Sequence, residues 1–390
     1  MKILLANKFF YPHGGTETYM FSLASLLSSN GHKMVGFSQK NKKNIEIKGK
    51  EFFINEIKLD KFYWFNIFKI GRVFWSFTAK KKITKLIKKE NPDIVHIHNI
   101  YHQISPSILP VIKKTNTPIV MTVHDFKLIS PDYTLWATKH KPSGKSIIAK
   151  LFMGLEYYFH KTINVYKKNI DLFIAPSEFV KNKLIEDGFE ANKIIVLPHF
   201  TKIERKKITS EKNYIVYFGR LDKSKGINTL IKAFAKIESD TKLKIIGSGP
   251  EEQELKELTK KLNCENKIEF ISHCKKDELE LIIADSMFSV FPSLVHETFG
   301  LGIIESYALG KPVIASSVGA FTENVKNNTG ILFDTDNEKQ LEKALEKLIS
   351  DKNLRISMGE NALKVANEKF TNNYHYDKII NIYSSLVTKK

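Results

Sequence analysis

The sequence predicts an α/β protein with two domains, each built on a parallel β-sheet. Its 390 residues are enough for two ordinary domains with separate hydrophobic cores. Short apolar runs alternate with helical patterns from one end of the chain to the other, which is typical of βαβ units. The alternation is interrupted near residues 198–212, where a polar, basic run is typical of a linker between domains.

The predicted elements form two similar series. In the first half, strands are predicted near 2–6, 33–38, 93–97, 118–123, 171–174 and 193–197, and helices near 16–29, 72–90, 105–114, 147–168 and 177–187. In the second half, strands are predicted near 213–218, 242–246, 267–271, 287–291, 312–315 and 330–333, and helices near 226–237, 250–262, 275–284, 300–309, 337–349, 352–366 and 371–386. Such folds bind ligands at the carboxyl ends of their strands, so functional residues are expected in the loops that follow.

The segment 292–305 carries the strongest functional signal. It joins a predicted strand to a predicted helix that begins near Gly300, and the first N–H groups of such a helix attract a phosphate. Glu297 lies in the loop, whereas Glu305 lies in the second helical turn, about 7 Å along the axis from Gly300. An anion site between two carboxylates that accept hydrogen bonds from hydroxyls suits a nucleotide diphosphate sugar.

Two further loops of the second half have residues suited to phosphate. Arg220 offers a planar fork and Lys225 a compact charge, in a loop between a strand and a helix. Two surface cations in a turn are the alternative interpretation. Gly247 follows the next strand and allows close approach of a ligand. The alternative interpretation is that it only forms a tight turn. A dinucleotide fingerprint would need a glycine where Glu252 stands, which disfavours a nicotinamide cofactor.

The first half contributes two more candidate loops. Gly14 and Gly15 connect the first strand to the first helix, where they favour an anion, although a flexible connection is the alternative. His124 ends a predicted strand and can donate to a sugar hydroxyl. The alternative is a structural histidine held by its neighbour, Asp125.

These motifs resemble those of the retaining glycosyltransferases of family 4, which have the GT-B fold. The Glu-x7-Glu pair, the following Gly310-Lys311-Pro312 and Gly319 match the family's pattern, and the resemblance spans most of the chain. It implies an N-terminal Rossmann-like acceptor-side domain (1–200) and a C-terminal nucleotide-sugar-binding domain (201–366), with parallel sheets facing across a cleft. It also implies that a C-terminal helix (367–390) packs back on the first domain.

The resemblance further implies the activity and the roles of the site residues. A sugar would move from a UDP- or GDP-sugar to a glycan or lipid-linked acceptor with retention of configuration, in cell-surface polysaccharide biosynthesis. The diphosphate would be bound by Arg220, Lys225 and the helix start at Phe299, Gly300 and Leu301. Glu305 would hold the ribose, and Glu297 and His124 the hexose. Gly14 and Gly15 would lie near the diphosphate and acceptor, and Gly247 beside the nucleotide. No cofactor and no metal are expected.

Three other features of the sequence are not assigned to a functional site. Asp334-Thr335-Asp336 has the spacing of some metal sites but follows the last strand of its domain, so we interpret it as a turn before a helix with Asp336 as N-cap. His96 and His98 share one face of a strand without a third ligand in reach, which favours packed histidines. Two cysteines, Cys264 and Cys274, fit a reducing cytoplasm.

The net charge of +19 is unevenly distributed, since residues 1–200 have a net charge of +16. Aromatic residues and lysines alternate in segment 58–90, which suits an anionic membrane surface; a helix with inward-facing aromatics is an equal alternative. Nucleic acid is disfavoured because no recognisable motif accompanies the charge. No apolar run of about 18 residues is present, so we expect a cytoplasmic protein, peripheral on the inner face of the membrane.

Three alternative functions remain open at this stage. A nucleotide-sugar 2-epimerase shares the architecture but not the combination of Arg220, Lys225 and the two glutamates. A polymerase resembling glycogen synthase would extend a soluble glucan. A non-catalytic protein that binds membranes or nucleic acid would depend on the basic charge and not on Glu297.

Overall fold

The chain folds into two compact units. The computed structural model describes residues 1–57, 67–138, 147–201, 211–272 and 274–388. The first unit contains residues 1–134, 147–198 and 375–388, and the second contains residues 135–138 and the described part of 199–374. Most of the predicted linker, residues 202–210, lies outside the described residues.

The first unit is built on a six-stranded parallel sheet of order β2-β1-β3-β4-β5-β6. Its strands are β1 (Lys2–Ala6), β2 (Lys33–Phe37), β3 (Ile94–Ile97), β4 (Ile119–Thr122), β5 (Leu172–Ala175) and β6 (Ile194–Val196). The order reverses between β1 and β3, which are hydrogen-bonded to each other. Loops that leave the sheet at such a reversal diverge and open a binding crevice.

The helices of the first unit differ from the predicted ones at two breaks. They are α1 (Gly15–Ser29), α2 (Ile67–Phe74), α3 (Phe77–Glu90), α4 (Leu109–Lys113), α5 (Ile147–Thr162), α6 (Val165–Asn169) and α7 (Glu178–Glu186). The single helix predicted over 72–90 is wrong, because Ser76 starts a new helix by accepting a hydrogen bond from the backbone N–H of Ala79. The helix predicted over 147–168 is also interrupted, because Asn164 has left-handed backbone angles.

The second unit is built on another six-stranded parallel sheet, of order β12-β11-β10-β7-β8-β9. Its strands are β7 (Tyr214–Phe218), β8 (Lys242–Ile246), β9 (Ile268–Ile271), β10 (Ser289–Phe291), β11 (Val313–Ser316) and β12 (Gly330–Phe333). The order reverses between β7 and β10. The loops after these two strands are the ones in which Arg220, Lys225 and Glu297 were predicted.

The remaining helices follow the predicted pattern closely, apart from a short helix over 321–324 that was not predicted. They are α8 (Ile227–Ala235), α9 (Glu252–Lys261), α10 (Lys276–Asp285), α11 (Leu301–Ala308), α12 (Phe321–Asn324), α13 (Glu338–Ser350), α14 (Lys352–Lys369) and α15 (Asn372–Val387). The predicted N-cap at Asp336 is wrong. Asn337 caps α13 by accepting from the N–H of Gln340, whereas Asp336 has a positive φ of 62°.

Burial of β7 explains why helices flank both faces of the second sheet. All five residues of the strand are buried. Ile215 and Tyr217 pack into one core with α8, whereas Val216 and Phe218 pack into another with α11. Alternate residues of a strand point to opposite faces, so an uninterrupted apolar strand needs two apolar layers.

The two parallel sheets confirm the predicted fold class. The last residues of the chain, from His375 onward, group with the first unit. None of the helices in the described parts of the chain is long and apolar enough to span a bilayer.

Candidate active site

The candidate site of the second unit lies at the carboxyl ends of β10, β7 and β8, which are neighbours in the sheet. β7 leads into the loop with Arg220 and Lys225, β8 into the loop with Gly247, and β10 into the loop with Glu297. Three predicted loops are therefore brought together by strand order. They surround the point where the order of the strands reverses, which is where open α/β sheets bind ligands.

An ion pair joins two of the predicted residues. Lys225 Nζ lies 2.7 Å from Glu297 Oε1, and the Ser293 hydroxyl donates to the same carboxylate at 2.7 Å. Burial alone would lower the pKa of Lys225, but the charge and hydrogen bond of Glu297 outweigh it and raise the pKa above its ordinary value. A fixed cation and a fixed carboxylate are thus adjacent at the reversal point.

Arg220 is the more exposed cation of the same loop. Its side chain is 69% exposed, and Nε lies 3.3 Å from an oxygen of Asp222. The Tyr217 hydroxyl donates to the Arg220 carbonyl oxygen at 2.9 Å and so holds the backbone of the loop. The guanidinium therefore extends from an anchored backbone and keeps donors available for a phosphate.

Glycines allow the loops after β7 and β8 to pack directly on each other. A Cβ at Gly247 would lie 1.9 Å from the carbonyl oxygen of Gly219, and one at Gly249 would lie 2.1 Å from that of Leu221. Gly247 also has a φ of +140°, which disfavours any side chain. Gly247 is therefore required by the fold, a role that does not depend on a ligand.

Helix α11 begins after Gly300, which has a left-handed φ of +95° and provides no side-chain cap. Leu301 is the first helical residue, as the anion-site prediction needs, and the first N–H groups of a helix have no partner within it. Phe299 is buried, with its ring 5.0 Å from that of His199. Phe299 can therefore contribute its backbone to the site, while its side chain anchors the loop.

Glu305 lies in the second turn of α11 and is half-buried. Burial raises its pKa to about 7; the charge of Lys276 opposes the shift and that of Glu280 adds to it. This carboxyl group therefore changes its protonation state near neutral pH. A group of this kind can accept hydrogen bonds from a diol once it is ionised.

A short segment of the second unit supports the site and was not predicted. Trp136 pairs with Val295 in an antiparallel bridge, and the N–H of His296 donates to the carbonyl oxygen of Leu135 at 2.7 Å. These contacts hold the backbone immediately before Glu297. No local pattern predicts the pairing, because it joins segments about 160 residues apart in the sequence.

In the first unit, His124 follows β4 and is paired with a second histidine. His124 Nε2 lies 2.8 Å from His98 Nδ1, and the two rings are stacked at 5.1 Å. One of these nitrogens donates and the other accepts. Burial lowers the pKa of His124 to about 3, so its imidazole is neutral at physiological pH.

His96 extends this cluster into the core, where it packs as predicted. Its Nδ1 lies 2.6 Å from the Tyr383 hydroxyl and its Nε2 2.7 Å from the Thr122 hydroxyl. Its ring stacks on His98 at 4.4 Å. His98 is thus held between a core histidine and His124. The alternation of His96 and His98 was visible in the sequence, but its link to His124 required the adjacency of β3 and β4.

Asp125 and Lys8 lie close to the same strand ends. Asn99 Nδ2 donates to Asp125 at 3.3 Å, as does the N–H of Lys127 at 3.0 Å. Burial nevertheless raises the pKa of Asp125 to about 6, while nearby Lys8 opposes the shift. The Lys8 ammonium lies 4.5 Å from the ring centre of Tyr101. A polar, partly buried group of side chains therefore surrounds the His124 loop.

Gly14 and Gly15 lie at the start of α1, as predicted. Gly14 is extended and exposed, and its carbonyl oxygen accepts from the N–H of Thr18 at 3.0 Å. Glu17 in the first turn is buried, and its carboxylate accepts from Asn7 Nδ2 at 2.8 Å. The loop is therefore attached to the end of β1 through Asn7, which leaves the two glycines at the surface.

Comparison with known proteins finds two family models along the chain. Residues 199–365 match the model of the group 1 glycosyl transferases. Residues 13–205 match the model of glycosyltransferase family 4. Together the two matches cover all of the predicted site residues from Gly14 to Glu305.

The individual relatives have low sequence identity to this chain, and some of them match nearly its whole length. The chain is 25% identical over 389 residues to an uncharacterized glycosyltransferase of Methanocaldococcus jannaschii, which covers 97% of this chain and 96% of that protein. It is 31% identical over 236 residues to the capsular polysaccharide biosynthesis glycosyltransferase CapM of Staphylococcus aureus, covering 55% of this chain and 61% of CapM. The solved structure of Anabaena HepE in complex with UDP and glucose matches with a TM-score of 0.73 at 18% identity, covering 99% of this chain and all of HepE. At that identity the likeness concerns the fold.

Proposed function

This chain belongs to the group 1 glycosyltransferases of family 4, and we propose that it moves a hexose from a UDP- or GDP-sugar to a glycan or lipid-linked acceptor with retention of configuration. The observation that carries the proposal is the ion pair between Lys225 and Glu297 at the reversal point of the second sheet. A nucleotide sugar has an anionic diphosphate next to a hydroxyl-rich ring. A cation and a carboxylate 2.7 Å apart match that junction.

The second unit supplies groups for each part of the donor. Lys225 and Arg220 neutralise the diphosphate, together with the backbone at the start of α11 (Phe299, Gly300 and Leu301). Glu297 accepts hydrogen bonds from hexose hydroxyls and Glu305 from the ribose. Gly247 borders the nucleotide. The binding of UDP and glucose by HepE is consistent with this kind of donor.

The proposed reaction breaks the bond between the anomeric carbon and the diphosphate oxygen. The acceptor oxygen forms its bond to the same carbon from the same face, and its proton passes to the departing phosphate. Lys225 and Arg220 act by stabilising the negative charge that grows on the leaving group. Glu297 holds the ring in position while this charge develops.

The first unit is proposed to supply His124, Gly14 and Gly15. A neutral imidazole is a suitable donor to a sugar hydroxyl, and the low pKa of His124 keeps it neutral throughout the physiological range. The exposed glycines at the start of α1 allow close approach of the donor phosphate or the acceptor.

The acceptor is proposed to belong to cell-surface polysaccharide synthesis at the inner face of the membrane. The similarity to CapM, a capsular polysaccharide biosynthesis glycosyltransferase, supports this assignment. Segment 58–90 is proposed to contact the anionic surface. Residues 58–66 of it lie outside the described residues, whereas α3 carries five exposed lysines: Lys80, Lys81, Lys85, Lys88 and Lys89.

Transfer is proposed to need no metal and no cofactor. The Asp-x-Asp carboxylates are occupied within the protein: Asp334 accepts from Gln340 Nε2 at 2.8 Å, and Asp336 accepts from the Thr229 hydroxyl at 2.7 Å. Donor hydrolysis that is unchanged by a chelator supports this proposal. Loss of hydrolysis that is restored by a divalent cation contradicts it.

The proposal is tested by measuring binding and slow hydrolysis of a panel of UDP-, GDP- and ADP-sugars. One donor should be bound and hydrolysed by the wild type, and Arg220→Ala and Glu297→Ala should lose both properties. Lys223→Ala is the matched control, because Lys223 is an exposed cation of the same loop without a proposed role. Equal losses in all three variants, or a donor bound equally by all of them, would contradict the assignment. Epimerised donor in place of free sugar would indicate a nucleotide-sugar 2-epimerase.

A further inference from the structure

Helix α5 buries two of its ionisable residues, Glu156 and His160, and exposes several of its large apolar ones. Glu156 is fully buried, and its Oε2 lies 2.9 Å from Lys127 Nζ and 3.1 Å from His102 Nδ1. His160, one turn later, is also buried, with Nε2 2.7 Å from the carbonyl oxygen of Phe74. A helix at the surface of a soluble protein normally shows the opposite arrangement.

The outward side of α5 is mostly apolar. Its large apolar side chains are between 39% and 84% exposed, the extremes being Phe159 and Ile147. At 100° per residue they occupy one side of the helix, an arc of about 120°. We call them the α5 face: Ile147, Ile148, Leu151, Leu155, Tyr158 and Phe159.

Phe77 is a further exposed ring, at the start of the helix that follows α2. It is 71% exposed at the first position of α3. Three residues earlier, Phe74 contacts α5, with ring centres 5.3 Å from Phe152 and 5.8 Å from Phe159. Six large apolar side chains exposed along one side of α5 amount to an area on the order of several hundred Å², which in soluble proteins marks an interaction surface.

The charges near the α5 face favour an anionic partner. Lys150 is exposed on α5 itself, and Lys80 and Lys81 are exposed near the start of α3, three and four residues after Phe77. Residues 1–200 have a net charge of +16. Two copies of this chain would therefore repel each other across the face, whereas anionic headgroups would be attracted to it.

We propose that the α5 face inserts into the headgroup region of an anionic lipid bilayer, with Ile148, Leu151 and Leu155 at its centre. The lysines of α5 and α3 contact the lipid phosphates, and Tyr158 places its hydroxyl at the interface with water. The inference deepens the proposed function, and rests on it, by naming the element that brings a lipid-linked acceptor within reach. It differs from the prediction for segment 58–90 because the apolar contact comes from α5.

Vesicle binding tests the inference. Wild-type protein should co-sediment with vesicles of phosphatidylglycerol and phosphatidylcholine, and much less with phosphatidylcholine alone. The triple variant Ile148→Gln, Leu151→Gln and Leu155→Gln should bind the anionic vesicles at least about tenfold more weakly, because insertion scales with apolar area. The matched control is Leu281→Gln with Ile356→Gln, two residues of the second unit that are 50% and 47% exposed.

A second measurement locates the contact directly. The emission of a Leu151→Trp variant should shift to the blue with anionic vesicles, and brominated lipids should quench it. Unchanged vesicle binding by the triple variant would overturn the inference. So would a wild type that is dimeric and becomes monomeric in the triple variant without vesicle binding, since the face would then be an interface between copies. Donor hydrolysis should be equal in the wild type and the triple variant, which separates a failure of this inference from a failure of the proposed function.

Discussion

Donor binding should depend on pH through Glu305. The pKa of this carboxyl group is raised to about 7, mainly by burial. If it accepts hydrogen bonds from the ribose hydroxyls, the donor binds the ionised form and must first remove the proton. Affinity should therefore rise as the pH increases through 7.

The size of the effect follows from the pKa. A group that titrates at about 7 is roughly one-tenth ionised at pH 6 and roughly nine-tenths ionised at pH 8. The dissociation constant of a UDP- or GDP-sugar should therefore fall roughly tenfold over this range. The stability of the free protein changes with pH in the opposite direction from donor affinity. Folding raises the pKa, so the contribution of Glu305 to stability is present below its ordinary pKa of 4.5 and is lost as the pH rises through 7.

Titration calorimetry at pH 6, 7 and 8 measures the effect, with a nucleotide sugar as ligand because its diphosphate does not titrate in this range. Glu305→Gln should bind more weakly at pH 8 and show little pH dependence, since the amide cannot ionise. An equal pH dependence in the wild type and Glu305→Gln would show that Glu305 is not the titrating group. Tighter binding at pH 6 than at pH 8 in the wild type alone would contradict the predicted direction.

Three further predictions concern single residues. Lys225→Ala should weaken donor binding by about a hundredfold in calorimetry, because Lys225 is the cation proposed to bind the diphosphate. Unchanged affinity would exclude that role. Gly247→Ala should lower the free energy of unfolding by about 3 kcal/mol or more, because its Cβ would overlap the Gly219 carbonyl oxygen. Gly154→Ala, in an open helical position, should raise it by about 0.5 kcal/mol. Equal effects of the two substitutions in denaturant titrations would contradict this packing. His98→Phe should lower kcat about tenfold with little change in KM, because it removes the hydrogen bond to His124. His98→Asn should keep part of that kcat, because its amide can replace the hydrogen bond. A loss of thermal stability alone would leave His98 with a structural role only.

The strands were predictable because each is a short apolar run bounded by polar residues. β1, β8 and β12 match their predicted bounds, and the other strands differ by one or two residues at one or both ends. The helix breaks at Ser76 and Asn164 were not predicted. In both places the apolar periodicity continues across the break, so only the backbone angles and caps of the folded chain reveal it.

The site was predictable loop by loop but not as an assembly. Sequence motifs identified the loops of Lys225 and Glu297 separately, yet these residues are 72 positions apart. Their pairing depends on β7 lying next to β10, and strand order leaves no local signal. The contact of His98 with His124 depends in the same way on β3 lying next to β4.

The orientation of α5 could not be predicted for a different reason. Its apolar periodicity is that of an ordinary amphipathic helix, which buries its apolar side. The partners that reverse this preference, Lys127 and His102, come from other loops and hold Glu156 in the interior. Sequence periodicity gives the existence of an apolar side but not the direction in which it faces.

The most direct test of retaining transfer is the anomeric configuration of the product. The donor identified in the panel would be incubated with methanol as a surrogate acceptor, and the methyl glycoside followed by proton NMR, since it does not change anomer after release. From an α-linked nucleotide sugar, retention predicts the methyl α-glycoside in the wild type and none in Glu297→Ala. Formation of the methyl β-glycoside, or equal formation of the α-glycoside by Glu297→Ala, would contradict it.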